Sequence, residues 1–293
     1  MHMKILFYLF VSTSLVCTSC TKENVAIVET PPDTTPHLNR SDSTVMVEIS
    51  KKIGPWLPTW DPGNIQSWGG VLIALDISSN QYRIVGLVYN SSLFHGELPI
   101  ELTQLPELRY LGISGDLSGP IPSWIGDLSK LEELSLGENY FEGSIPPEIG
   151  KLKNLKRLVF YKSSISGEIP KEIGNLKNLE RFVIFETGVS GSIPKELANL
   201  DLDKVSITLD KNKLSGTFPL ELSPSKRQIG CSDNNIESFP FDYWKIEDAI
   251  IPDLQGNRLS GEVPEWVRET EKWEKKKGFV DRQQEGYGYT NIN

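Results

Sequence analysis

The chain has 293 residues, 38% of them hydrophobic, and a formal net charge of −9 at pH 7. That apolar content is enough for one large folded domain or two small ones and excludes general disorder. The acidic balance excludes nucleic acid as a partner, because a phosphate backbone requires a basic footprint.

At the N-terminus, Lys4 precedes a largely apolar run from Ile5 to Val16. The run is shorter than the roughly 20 residues of a membrane span and has the length of a signal-peptide core, so residues 1–19 read as an export signal. Cys17-Thr-Ser-Cys20 has the C-x-x-C spacing of redox and zinc sites, but it falls where a signal peptidase cuts, behind small Ser19. The arrangement resembles the lipobox of bacterial lipoproteins, with Cys17 standing where that motif usually has Leu. The resemblance implies that Cys20 is acylated and becomes the first mature residue, and that Thr21-Lys22-Glu23 is similar to the charged signal sending some lipoproteins to the cell surface. Two or more acyl chains anchor stably, at about 0.8 kcal/mol per buried methylene. The expected location is therefore the bacterial cell envelope, lipid-anchored to the outer membrane. The alternative is an ordinary secretory signal and a free protein. With Cys17 removed and Cys20 lipidated, Cys231 alone remains of the three cysteines, so no internal disulfide is expected. Residues 20–44, polar and rich in Pro and Thr, read as a disordered tether.

Internal repetition dominates the rest of the chain. GELP (96), GPIP (119), GSIP (143), GEIP (167), GSIP (191), GTFP (216) and GEVP (261) recur at intervals of 23, 24, 24, 24, 25 and 45. The last interval spans two units, the degenerate NNIESFP at 234–240 filling the gap, so there are eight repeats. Each carries an L-x-L core ahead of the tetrapeptide, as in Leu134-Ser-Leu136, and a second apolar pair behind it, such as Ile149 and Leu152. The L-x-L pair places two side chains on the inward face of a short strand, and a 24-residue coil brings the next strand alongside at about 4.8 Å. Asn139, Asn212, Asn234 and Asn257 fall in the turn after the strand, where an amide can satisfy bent backbone; Ser92, Asp116, Ser163 and Thr187 fill that place elsewhere. Gly in G-x-I-P permits a conformation other residues resist, and Pro holds the preceding residue extended.

The pattern L-x-x-L-x-L-x-x-N-x-L-x-G-x-I-P over residues 83–265 resembles the plant-type leucine-rich repeat. Plant receptor ectodomains, polygalacturonase inhibitors and bacterial lipoproteins with plant-like repeats are similar, and the lipobox favours the last kind. The resemblance implies an α/β solenoid: a right-handed superhelix of about eight 24-residue repeats with a parallel sheet on the concave face. Plant ectodomains close the ends with cysteine pairs, which this chain lacks. A solenoid end exposes its core and must be covered, so residues 45–82, with Trp56, Trp60 and Trp68, are expected to form one cap. Residues 266–293 form the other with Trp266 and Trp273 on one side of a charged helix, Trp244 nearby, and EGYGYTNIN as a loose tail.

Within RFVIFETG (181–188), Phe182 and Ile184 are the inward pair, so Val183 and Phe185 point out of the sheet. One repeat earlier Leu158 and Phe160 point in while Val159 and Tyr161 point out, with Arg157 and Arg181 on the preceding outward position. Lys162 and Glu186 border the far side, and Tyr110 shares the face. Other outward positions are small or polar: Gly112, Ser135, Gly137, Ser206, Thr208, Gly230 and Ser232. An aromatic and Arg cluster in mid-sheet has the composition of an interface hot spot, which makes Tyr110, Arg157, Val159, Tyr161, Arg181, Val183, Phe185 and Glu186 the candidate ligand-binding residues. The bland reading is that Tyr161 and Phe185 are only a neighbouring-strand pair contributing roughly 0.2–1 kcal/mol.

Catalytic constellations are absent from the pattern. The three histidines, His2, His37 and His95, cannot pair within the repeats, and Cys231 occupies an inward position. No metal spacing or phosphate-binding glycine loop occurs. Glu138 and Glu186 lie two strands apart, about 9.6 Å, near the separation of an inverting glycosidase pair, but on an open wet face rather than in a cleft. The sequence thus predicts a non-enzymatic recognition module without cofactor or metal, taking a protein partner on its concave face. Alternatives are a glycan ligand stacked on Tyr110, Tyr161 and Phe185, or a purely structural envelope component.

Overall fold

A computed structural model describes residues 36–53, 70–276, 278 and 282–290, all in one unit that begins at Pro36. The expected signal peptide, Cys20, and Trp56, Trp60 and Trp68 lie outside the described residues.

The order of elements follows the repeat. β1 (His37–Leu38), α1 (Arg40–Ile53), β2 (Val71–Asp76) and β3 (Gln81–Gly96) precede β4 (Tyr110–Pro120). Each later coil contributes a front strand and a flank strand: β5 (Glu133–Ser135) and β6 (Tyr140–Ser144), β7 (Arg157–Tyr161) and β8 (Ser164–Glu168), β9 (Arg181–Phe185) and β10 (Gly188–Gly191). β11 (Ser206–Thr208) and β12 (Lys213–Thr217), then β13 (Ile229–Gly230) and β14 (Asn235–Ser238), complete the series. β15 (Ser260–Gly261), α2 (Glu265–Arg268), α3 (Glu271–Lys276) and β16 (Gly288–Tyr289) close the chain. The front strands pair in the order β3-β4-β5-β7-β9-β11-β13, all parallel, and β2 adds antiparallel to β3. The flank strands pair in the order β4-β6-β8-β10-β12-β14, so the long, bent β4 belongs to both sheets. Short 3-10 turns after each Pro form the back, as at Pro147–Lys151 and Lys171–Asn175.

The two-residue alternation of a strand sets the core. The inward pairs Leu111/Ile113, Leu134/Leu136, Leu158/Phe160, Phe182/Ile184, Ile207/Leu209 and Ile229/Cys231 are all buried, and they meet Ile125, Ile149, Ile173 and Leu197 from the back turns in one continuous cluster. Each such side chain contributes about 1.5–3 kcal/mol on burial. The buried turn asparagines act as anticipated. The Asn234 amide nitrogen donates to the carbonyls of Leu209 (2.9 Å), Cys231 (3.2 Å) and Ser232 (3.0 Å), and its oxygen accepts from Leu214 N (2.9 Å). Asn139, Asn212 and Asn257 make the corresponding bonds between successive coils. In the G-x-I-P turn, Gly96, Gly119, Gly143, Gly167, Gly191 and Gly216 have φ between +74° and +89°, which accounts for the recurrence of glycine. The residue before each turn position is also left-handed, although it is never glycine in five coils: Glu138, Lys162, Glu186, Lys211 and Asp233 have φ of 48–56°.

On the back, a β-carbon added to Gly126 would stand 2.5 Å from the Glu148 carbonyl oxygen, and one on Gly150 would stand 2.6 Å from that of Glu172; Gly174 abuts Glu196 in the same way. These glycines let successive turns pack backbone to backbone.

The ends differ from expectation. The tether expected to reach residue 44 stops short of it: β1 pairs with β3, and α1 begins at Arg40 and seals the first coil with Val45, Met46, Ile49 and Ile53. Asp42, fully buried, accepts bonds from Arg83 Nε (3.0 Å), Arg83 Nη2 (2.9 Å) and Ile84 N (2.9 Å), which fixes the helix to β3. At the other end the expected single helix is two short ones. Trp273 is buried against Trp244, whereas Trp266 is exposed with the Lys245 ammonium 5.1 Å above its ring. Trp266 and Trp273 therefore do not share a face, because the chain breaks its helix at Glu269–Thr270. The expected loose tail is partly tied down: β16 pairs with β15, and Tyr289 packs edge-on against Phe241.

Candidate functional site

Four rows of outward side chains cross the front sheet. The first runs Tyr110, Glu133, Arg157, Arg181, Ser206; the second Gly112, Ser135, Val159, Val183, Thr208, Gly230. The third holds Tyr161 beside Phe185, flanked by Gly137 and Asp210, and the fourth is the left-handed series Glu138, Lys162, Glu186, Lys211, Asp233. The register therefore sets Arg157 against Arg181, Val159 against Val183, and Tyr161 against Phe185.

Surroundings separate these residues. Tyr161 lies across Gly137, where a β-carbon would fall inside the ring, and its hydroxyl comes within 3.5 Å of Ser114 Oγ two strands away. Gly137 thus provides the space in which a half-buried tyrosine can lie along the sheet. The Lys211 ammonium sits 5.4 Å from the centre of the Phe185 ring, at cation–π distance. Val183 departs from the sequence reading. It is buried, at 7% exposure, although it stands outside the core cluster, because Val159 and Thr208 flank it in register and Phe185 and Arg181 border it along the strand. Val159, Tyr161 and Phe185 are partly exposed.

The two arginines are not equivalent. Arg157 is bound through Nε (2.9 Å) and Nη2 to Glu133, a carboxylate that raises its pKa. Arg181 is exposed and makes no ion pair among the described residues. Tyr110 stands in the arginine row, beyond Glu133, and does not join Tyr161 and Phe185. Glu186 lies in the charged row, exposed, between Lys162 and Lys211. The Lys162 ammonium bonds Glu138 at 3.0 Å, which raises its pKa and separates Glu138 from Glu186.

A hollow of about 380 Å³ opens beside the aromatic pair, toward the C-terminal strands, lined by Phe185, Thr208, Asp210, Gln228, Gly230 and Asp253, among others. Sequence reasoning passed over Asp210, Lys211 and Asp253. The signal was available in the repeat frame, since Ile207-Thr-Leu209-Asp210-Lys211-Asn212 aligns Asp210 with Phe185 and Lys211 with Glu186. Cys231 is free and buried; burial, and then the charges of Asp210 and Asp253, push its thiol well above the ordinary range. Among the described residues no three His, Cys, Asp or Glu side chains gather as a metal site.

Residues 83–221 match the family described as leucine-rich repeat region. The solved structures similar to the chain include PEPR1–AtPEP1, at 24% identity and TM-score 0.66, covering 77% of this chain and 32% of that one. The plant peptide hormone receptor RGFR1 in complex with RGF2 is 31% identical with TM-score 0.57, over 61% of this chain and 30% of that one. A plant ice-binding protein is 22% identical with TM-score 0.66, over 79% and 83%. The chain spans about a third of the length of the first two of these structures. No curated protein sequence matches it. Fold, family match and neighbours agree on a leucine-rich-repeat solenoid.

Proposed function

We propose that this chain is a non-enzymatic recognition module that binds a protein partner on the concave face of the solenoid. The observation that carries the reading is the mid-sheet cluster of Val159, Tyr161, Val183 and Phe185 with the uncompensated Arg181, on a face where the neighbouring coils manage with Gly, Ser and Thr. Packing of the core does not require aromatic groups there, and partly exposed rings beside an unpaired guanidinium form the composition of a hot spot. The likeness to RGFR1, solved in complex with RGF2, supports a peptide or protein ligand.

The module is displayed by a bacterium, held in the outer membrane by lipid on Cys20, with the segment before Pro36 as its tether. Mass spectrometry of the mature N-terminus tests the anchor: an unmodified, freely secreted chain removes it and leaves the recognition reading intact. For the face itself, wild type and the Tyr161→Ala/Phe185→Ala double variant are compared on host-protein and glycan arrays. Loss of a protein signal supports the proposal. Loss of a glycan signal alone moves the face to sugar stacking on Tyr161, and unchanged binding in both removes this face from consideration.

A further inference from the structure

The C-terminal part of the same face has a character of its own. Asp210 projects over Gly230, where a β-carbon would stand 2.5 Å from Asp210 Oδ2. Its other oxygen is held by Ser232 N (2.7 Å) and Ser232 Oγ (2.8 Å). Asp253 bridges to Gly230 from the far side, so the two carboxylates flank one bare strand position at the floor of the hollow. Among the described residues, no Lys or Arg lies within 4.0 Å of either carboxylate. Lys211 is drawn toward the Phe185 ring; Asp253 Oδ1 accepts from Gln255 N at 3.3 Å, and Arg282, which shares an adjoining hollow with Asp253, is bound to Gln255 Oε1 at 3.1 Å. Thr208, Gln228 and Ser232 supply neutral polar groups, and Phe185 supplies an apolar wall.

Resting on the reading of the front sheet as a protein-binding face, we propose that its ligand is an extended segment with a basic side chain, Lys or Arg, in the hollow between Asp210 and Asp253 and an apolar side chain on Val159, Tyr161 and Phe185. Charge complementarity selects the occupant. A cation there meets two carboxylates that hold no ion pair among the described residues, Lys211 of the same hollow being turned to the Phe185 ring, and its methylene stem lies against the hollow's apolar wall. An acidic side chain would face the same carboxylates and is rejected. Arg181, in the first row of the same strand as Phe185, offers an acidic group of the ligand a separate contact beside the apolar strip. Spacing follows from geometry. β9 and β13 are two strand intervals apart, about 10 Å, which an extended chain covers in roughly three residues. The apolar and basic residues of the ligand are therefore two to four positions apart.

The test is a positional-scanning library of synthetic twelve-residue peptides, screened against the chain from residue 21 onward and against two variants. One variant is Asp210→Asn/Asp253→Asn, which keeps the oxygen that Ser232 bonds; the other is Tyr161→Ala/Phe185→Ala. Cooperative melts within about 4 °C of wild type show that both remain folded. Wild type is expected to enrich Lys or Arg two to four positions from an apolar residue, and the best peptide is expected to lose affinity about tenfold or more on the asparagine variant and on its own Lys→norleucine substitution. The alanine variant loses all peptides. Enrichment without a basic position, or equal affinity on the asparagine variant, overturns the basic subsite and leaves the recognition face standing. Selected peptides that bind the alanine variant as well as wild type, or a library that yields no binder, overturn both.

Discussion

Residues 157–187 and 206–257 are built on one repeat, yet they treat two positions in opposite ways. In the later stretch every coil carries the turn asparagine, Asn212, Asn234 and Asn257, each donating to two or more carbonyls of its own and the preceding coil. In the earlier stretch that position is Ser163 and Thr187. Thr187 Oγ1 is rescued by Asn212 Oδ1 at 2.6 Å, but the buried Ser163 hydroxyl has no partner among the described residues. On the front sheet the contrast reverses: the earlier stretch presents Val159, Tyr161, Val183 and Phe185, whereas the later one presents Thr208, Asp210, Gly230 and Ser232. In a solenoid each coil touches only its neighbours, so stability accumulates coil by coil. One stretch can forgo internal hydrogen bonds while its neighbours hold the stack. The large outward groups stand where the internal ladder is thinnest, which is the arrangement expected where function rather than folding selects the residues.

The sharpest probe of the well-laddered stretch is Cys231, whose backbone carbonyl accepts from the Asn234 amide. Its raised pKa keeps the thiol protonated at pH 9, where an exposed thiol, with a pKa of about 8.5, would be largely thiolate. Alkylation followed by peptide mapping is expected to be slowed on the order of a thousandfold or more until denaturant opens this region. Asn234→Ala should break the ladder outright. It removes four bonds, leaving the carbonyls of Leu209, Cys231 and Ser232 with only their second donors (Asn212, Asn257 and Lys211 N) and the Leu214 N–H without Asn234 Oδ1, costs about 3 kcal/mol and lowers the melting temperature by roughly 6–12 °C. Ser163→Asn has the opposite sign. An amide there reaches the carbonyls that the hydroxyl misses and is expected to add about 1 kcal/mol, read as a rise of a few degrees in the same melt. Gly137→Ala pushes the Tyr161 ring off its seat, so near-ultraviolet circular dichroism and ligand binding change while stability falls by no more than about 1 kcal/mol. Smallest of all is the stability effect of Tyr161→Ala/Phe185→Ala, within roughly 0.2–1 kcal/mol by thermal melt.

Sequence periodicity carried most of this architecture. The inward pairs, the G-x-I-P turns and the role of the asparagines were all readable, because each is a local chemical requirement repeated at a fixed interval. The ends were harder. Nothing periodic marks α1, and its tie to the stack runs through Asp42 and Arg83, 41 residues apart. The chain reversal that brings Tyr289 back to Phe241 has no local signature either. For the candidate site, adjacency followed from register, so Arg157–Arg181, Val159–Val183 and Tyr161–Phe185 were legible. What the sequence concealed was who neutralises whom. Glu133 occupies Arg157, Lys162 occupies Glu138, and flanking side chains bury Val183 without placing it in the core. Those outcomes depend on side-chain reach across strands, which spacing alone does not encode.

The glycines behind the sheet bear on the ligand although none can touch it. With Gly126, Gly150 and Gly174, the rear turns already meet at backbone contact, so the spine of the molecule cannot be compressed further. A methyl group at any of them would act as a shim: prising the rear apart, while hydrogen bonds hold the front strands about 4.8 Å apart, changes the curvature of the sheet from which the outward side chains rise. Grip on a bound segment is thus set from the opposite side of the protein, and affinity could be retuned there without altering a single contacting atom.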